Sequence, residues 1–396
     1  MLFNLRALSP LVVFLATSAL AQDHSSEQSE AQISDPNLEC TPYYYAPSGQ
    51  FVNTFPPIWQ PATLLANDTD GQALWAKIAP SIPTNILPKG QLNGSTINVT
   101  YDSVNDPDCW WSIRQCTTPK LAGLSPDVSS VPEPKTMGYG FDDGPNCTHN
   151  AFYNFLSSQN QKATMYYIGS NVLDWPLEAQ RAVADGHEIC ALTAFQSQDA
   201  FAELWYTIKA IKLVTGVTPT CWRPPYWRRR YRHVLRMQDR IRAIATALGL
   251  QTIVWKYDSF DWKAGQGNIT ATDPSTTVGG IILTHELNNF TMQEAIKWYP
   301  QLKAAFSAIV PIGVALNKTQ PVQGDQLFPP DVRAMHWFEL EPNLELQLGI
   351  RKHQVVLGAD PRRAWRCAVD GALRHGASRR SHTMMTRMDD IPDEFN

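Results

Sequence analysis

The sequence has little that would place it in a membrane or on a nucleic acid. Its most apolar stretch, Leu11-Val12-Val13-Phe14-Leu15 near the N-terminus, is too short to cross a bilayer and gives way to polar residues. No apolar run closes the C-terminus, so a lipid-anchor signal is not expected there. Neither sign of charge dominates: 33 Lys and Arg against 37 Asp and Glu leave a net charge of −4, with no basic surplus for a polyanion. Cys-x-x-Cys pairs and Cys–His spacings are missing, which excludes a zinc finger. What remains is a chain of 396 residues, 43% hydrophobic and 18% charged, enough for a sizeable core in one large barrel or two ordinary domains.

Residues 1–21 read as a secretory signal peptide, with Arg6 as the only charge, an apolar centre, and Ala19-Leu20-Ala21 as a cleavage site before Gln22. A secreted, extracellular or wall-bound glycoprotein is therefore expected. Seven Asn-x-Ser/Thr sites agree: Asn67, Asn93, Asn98, Asn146, Asn268, Asn289 and Asn317. Of seven cysteines, six precede residue 222 (Cys40, Cys109, Cys116, Cys147, Cys190, Cys221), an even set suited to disulfides in any of fifteen pairings. Cys367 is left over.

Texture divides the chain further. Residues 22–132 read as an irregular N-terminal region, polar, acidic and disordered over 22–39, then rich in Pro, Asn, Ser and Thr. Over 133–319 strands and helices alternate. Helices are expected from about Asn150, over Leu177–Ala184, Ala200–Thr215 and Arg240–Leu248, and over Met292–Ala308. Strands are expected at Ala163–Gly169, from His187, at Thr252–Lys256 and at Ile281–Leu283. Repeated β-α units imply a parallel sheet with right-handed crossovers, here an α/β barrel. Residues 320–396 form a divergent, Arg-rich tail with weak periodicity, expected to be poorly ordered.

The chemistry concentrates at Phe141-Asp142-Asp143-Gly144-Pro145, which closes the apolar run Thr136–Gly140. Gly-Pro cannot extend a strand, so the chain turns and leaves both acids at the strand's C-terminal end, where α/β enzymes place their chemistry. Successive strand side chains point opposite ways, which suits one acid to ligating a metal and the other to acting as base for its water. Downstream lie Arg223-Pro224-Pro225-Tyr226, Asp258-x-x-Asp261-Trp262 and Leu283-Thr284-His285-Glu286, the last two at strand ends.

In that order these segments resemble the polysaccharide deacetylases (the NodB-homology family, carbohydrate esterase family 4) and, among them, fungal chitin deacetylases. The resemblance covers about Lys135 to Leu316 and implies a distorted (β/α) barrel. It implies hydrolysis of the N-acetyl groups of chitin or N-acetylglucosamine oligomers, giving chitosan and acetate, with a divalent metal, zinc or cobalt, as cofactor. On that resemblance Asp143 ligates the metal, Asp142 is the base, and Arg223 pairs with Asp142. The backbone N–H of Tyr226 donates to the oxyanion, and Tyr226 also touches substrate. His285 is the acid that protonates the departing amine, Asp261 is its carboxylate partner, and Trp262 and Leu283 line the acetyl and sugar pocket. A monomer with no nucleic-acid partner is expected.

Two family segments are damaged. The second motif, His-Ser/Thr-x-x-His, supplies two imidazoles for the metal and should follow Gly186-His187-Glu188-Ile189-Cys190. Here Ala191-Leu192-Thr193-Ala194-Phe195 stands instead, and no histidine occurs between His187 and His233. His149 and His187 are the available substitutes, and neither has the spacing. After Tyr226, a segment from Trp227 to Gln238 with five arginines interrupts the pattern. The chain as written is therefore expected to be impaired. The alternative is a non-catalytic chitin-binding wall protein. A glycoside hydrolase ranks last, because adjacent acids on one turn seldom flank a glycosidic bond at the roughly 5–9 Å such enzymes need.

Overall fold

The computed structural model describes residues 23–87, 101–193, 199–225, 237–263 and 280–318, all within the first of two compact units, Met1–Trp337. The signal segment, Tyr226 with residues 227–236 of the insertion, Ala194 and Phe195, and the tail from 319 lie outside the described residues.

Nine short strands occur among the described residues: β1 (Thr136–Gly138), β2 (Gly140–Gly144), β3 (Thr164–Ile168), β4 (Glu188–Leu192), β5 (Cys221–Arg223), β6 (Gln251–Thr252), β7 (Tyr257–Asp258), β8 (Gly280–Leu283) and β9 (Ala308–Val310). They pair as β2-β3-β4-β5-β6 and β7-β8-β1-β9, with every ladder parallel. β1 and β2 are one strand shared between the two sheets. The Tyr139 N–H between them donates to Val310 (2.9 Å), while its carbonyl accepts from the Thr164 N–H (2.9 Å). A parallel bridge between Asp142 and His285 joins β2 to the end of β8. This is the expected α/β fold of parallel β-α units.

The helices fall close to their expected places: Asn150–Ser158, Pro176–Ala184, Ala200–Thr215, Asp239–Ala247 and Asn289–Ala305. The last starts earlier than periodicity suggested because Asn288 caps it, its side chain accepting from the Thr291 N–H (3.0 Å) in a capping box. It also ends earlier, since residues 308–310 leave the helix to pair with β1. The strand expected over Thr252–Lys256 has regular pairing only at its start. Its continuation is taken up by the N-terminal region, where Val128 bridges Ile253 and accepts from the Val254 N–H (2.9 Å).

The N-terminal region is better built than its composition suggested. Residues 23–39, expected to be disordered, contain two short helices, Glu27–Glu30 and Pro36–Glu39. Both are capped by side chains, Ser26 and Asp35. The segment docks on the barrel through Asn150, whose side chain donates to the carbonyls of Glu30 (2.8 Å) and Ile33 (3.0 Å). Residues 55–78 cover the outer face of the Ala200–Thr215 helix, so Glu203, Thr207 and Lys209 are buried as well as Leu204, Ile208 and Ile211. The covered polar groups find partners there: Asp68 accepts from Trp205 Nε1 (2.8 Å) and from Lys209 Nζ (3.3 Å). Three disulfides, Cys40–Cys147, Cys109–Cys116 and Cys190–Cys221, settle the pairing that the sequence left open.

Candidate functional site

The C-terminal ends of β2, β5, β7 and β8 converge, and with them most of the residues singled out by sequence. Asp142, buried on β2, accepts a 2.6 Å ion-pair hydrogen bond from Arg223 Nη1 at the end of β5. The Arg223 guanidinium is fully buried and lies over the Tyr166 ring of β3, 3.9 Å from its centroid. Stacking and pairing together fix its plane, as suits a delocalised fork. Burial pushes the Asp142 carboxyl above its ordinary range, and the positive charges of Arg223 and His285 oppose that rise.

Asp143 follows in the left-handed region (φ 71°), where the chain leaves the strand. Asn171 holds the turn by donating to its carbonyl (2.8 Å). Burial raises the Asp143 carboxyl to about 6, offset in part by His285 and reinforced by Asp142 and Asp261.

His285 stands just past β8. Its Nδ1 shares a 2.7 Å hydrogen bond with Asp261 Oδ1, and its backbone N–H donates to Asp261 Oδ2 (2.8 Å). A carboxylate only accepts, so Nδ1 carries the proton and ring orientation is fixed. Burial alone would lower the imidazole pKa. Asp261 above all, then Asp143 and Asp142, overcome it and raise the value to about 10, so the ring is protonated at neutral pH. Asp261 is presented by a turn in which its own N–H donates to Ser259 Oγ (3.2 Å). Trp262 follows, half-buried, with Nε1 donating to Asp258 (3.3 Å). Leu283 is buried in the core at the end of β8, only 2% exposed.

Sequence reasoning missed a second network directly beneath. Glu286 is fully buried and accepts from the Asn146 N–H (3.1 Å), His149 Nδ1 (2.9 Å) and the Tyr153 hydroxyl (3.0 Å). Tyr153 in turn meets the Tyr167 hydroxyl at 2.9 Å. One residue beyond His285, Glu286 ties the loop after the acid pair to the β8 end. Gly144 is obligatory there: an added Cβ would lie 2.5 Å from Glu286 Oε2. The signal was available, since a carboxylate next to a site histidine points to the other face and needs partners of its own.

Among the described residues the donor set does not fit a catalytic divalent metal, which ordinarily takes three protein ligands. His149 bonds Glu286 through Nδ1, and although its buried Nε2 has no partner it belongs to no three-ligand cluster among the described residues. His187 lies at the other end of the barrel, before β4, and accepts from the Ala163 N–H (3.1 Å). Burial there drives its pKa down to about 3, so it stays neutral. The remaining cluster among the described residues, Glu188 with Cys190 and Cys221, has both sulfurs in a disulfide. Among the described residues, the two adjacent carboxylates remain beside the ion-paired His285.

A buried Asp–Arg pair and an Asp–His pair are thus set at the C-terminal ends of parallel strands, an arrangement chemically able to exchange protons. A polysaccharide deacetylase profile matches residues 129–253. Chitin deacetylase 2 of Cryptococcus neoformans var. grubii is 45% identical over 333 residues, 78% of this chain and 71% of that protein. The chitin deacetylase of Amylomyces rouxii is 36% identical over 364 residues, 80% of this chain and 83% of that one. The chain belongs to the polysaccharide deacetylase family, a family of hydrolases that in general depend on a divalent metal. Among solved structures, the chitin deacetylase of Colletotrichum lindemuthianum shares 18% identity with a TM-score of 0.41, covering 49% of this chain and 92% of that one.

Proposed function

We propose that the chain is built on the plan of a secreted chitin deacetylase, which removes acetyl groups from N-acetylglucosamine residues, and that as written it is impaired. The observation that carries the reading is the pairing of Asp142 with Arg223 and of His285 with Asp261 around one mouth. Similarity to two chitin deacetylases over most of the chain supports the substrate class.

In this reading Asp142 accepts a proton from the attacking water. Arg223, always cationic, stabilises the ionised form of that base. His285 reaches the reaction protonated and delivers its proton to the departing amine, while Asp261 retains the positive ring in place. Trp262 lines the sugar position. Tyr226 would supply the oxyanion donor, a contribution of roughly 3 kcal/mol in typical enzymes. Leu283 would contribute only through the packing of the pocket wall.

The impairment follows from the ligands. Asp143 is the family's metal carboxylate by position, but the two imidazoles that should join it are absent from residues 191–199. No step is assigned to zinc or cobalt in this chain. That gap supports a second reading, a glycan-binding protein that kept the barrel and lost turnover.

One experiment separates the two. Acetate release from chitin oligomers is measured in added zinc or cobalt, for the chain as written and for a form with a His-Thr-x-x-His segment restored before Ala200. Release by the restored form alone supports the impaired-deacetylase reading. No release from either, with oligomer binding undiminished by chelator, supports the binding protein.

A further inference from the structure

The turn that presents Asp261 to His285 also leaves a large apolar ring partly exposed. Phe260 is 37% exposed and sits in the left-handed region (φ 58°), an unfavourable conformation for a bulky residue. The turn around it is rigid. The Phe260 N–H donates to Asp258 Oδ1 (2.8 Å), its carbonyl accepts from the Lys263 N–H (3.0 Å), and the Ser259 N–H reaches the Leu283 carbonyl (3.1 Å). Glycine would relieve the backbone, and a polar side chain would hydrate the exposed part better. Lys263 then crosses the ring, its Nζ 4.2 Å from the Phe260 centroid and 4.6 Å from that of Trp262. One ammonium thus sets both rings. On the neighbouring element, Phe290 is 46% exposed in the first turn of the Asn289–Ala305 helix, which packs against the 261–263 turn.

We propose that Phe260 is a stacking platform for the sugar next to the one whose acetyl group enters the site, and that Lys263 makes this position select N-acetylated over free-amine units. The inference rests on the chitin reading above. A pyranose offers a face of C–H bonds, which suits the electron-rich face of an aromatic ring. An acetylated unit is neutral, whereas a glucosamine unit carries an ammonium at neutral pH and meets Lys263 with like charge. The platform is continuous with the Asp261–His285 pair, one residue away in the same turn.

The test is calorimetric binding of N-acetylated oligomers of increasing length, and of their free-amine counterparts, with chelator present to prevent turnover. Affinity of the parent should rise with length. Phe260→Ala should lose about tenfold on the longer oligomers, by analogy with base–aromatic stacking, and nothing on the monosaccharide. Phe260→Trp should retain the length dependence. Phe260→Gly should lose affinity as the alanine does while melting no lower than the parent, which separates binding from stability. Lys263→Gln should narrow the preference for acetylated chains, and an unchanged ratio removes the selectivity. A parent that binds while Phe260→Ala matches it at every length overturns the platform alone. A parent that binds no oligomer sinks the chitin reading and the platform with it.

Discussion

At the scale of single residues, the site consists of buried charges that tolerate removal of neither partner. Arg223 is fully buried and bonded to Asp142 through one nitrogen, with Nε and Nη2 meeting no protein acceptor. Removing one side of such a pair strands the other in low dielectric, at a cost of about 3–5 kcal/mol. Arg223→Gln should therefore lower unfolding free energy in urea by that order, and Asp142→Asn combined with it should recover a substantial part. Arg223→Lys should fall between, because it keeps the charge and loses the planar stack on Tyr166. Strict additivity in that cycle would show that the pair is not coupled. Glu286 is a sharper case, as three donors converge on one carboxylate. Glu286→Ala should cost roughly 3 kcal/mol or more by leaving buried donors unmet. A loss below about 1 kcal/mol would mean that water replaces it.

At the scale of elements, the N-terminal arm is held by carboxylates buried against the Asn150–Ser158 and Pro176–Ala184 helices. Glu39 accepts from the Asn150 N–H (2.7 Å), and Glu178 accepts from the Tyr43 hydroxyl. Burial raises Glu39 to about 7 and Glu178 to about 8, against 4.5 for the free side chain, and Glu30 is raised beside them. A carboxyl with a raised folded pKa binds its proton more tightly when folded. Its contribution is complete below pH 4.5 and is lost as pH rises through 7 to 8. Amide exchange over residues 24–45, corrected for intrinsic base catalysis, should accelerate between pH 6 and 8.5, while the Cys40–Cys147 disulfide keeps the arm tethered. Glu178→Gln should flatten that dependence, and a flat profile in the parent would show that the arm docks without those protons. The sequence could not display any of this. Residues 22–39 are polar enough to read as disorder, and their order depends on partners more than a hundred residues away. By contrast, the helix over Ala200–Thr215 was legible because its apolar spacing is local, even though the cover over its polar face was not. The same contrast runs through the site. Asp142, Arg223, Asp261 and His285 could be read from short motifs, but Glu286 needed the loop from Asn146 to His149 folded against it.

At the scale of the whole molecule, the parallel strands and their helices close a core of apolar side chains. Phe141, Tyr166 and Ile189, all 1% exposed or less, lie in the core on β2, β3 and β4, three strands paired side by side. Loss of the metal motif should therefore leave folding intact while removing a ligand, a separation that thermal melting can read. A metal that binds only the folded chain stabilises it by RT ln(1 + [L]/Kd), about 2.7 kcal/mol at a hundredfold excess over Kd. The chain as written, having two adjacent carboxylates and no three-ligand cluster with them among the described residues, should show no rise in melting temperature in excess zinc and no fall in chelator. The form with His-Thr-x-x-His restored should melt near the same temperature without metal and rise by several degrees with it. A zinc-dependent rise in the chain as written would mean that ligands outside the described residues complete the site, and turnover would then be expected without repair. A restored form that melts far lower than the parent would mean instead that the shortened segment after Thr193 has become part of how the barrel closes.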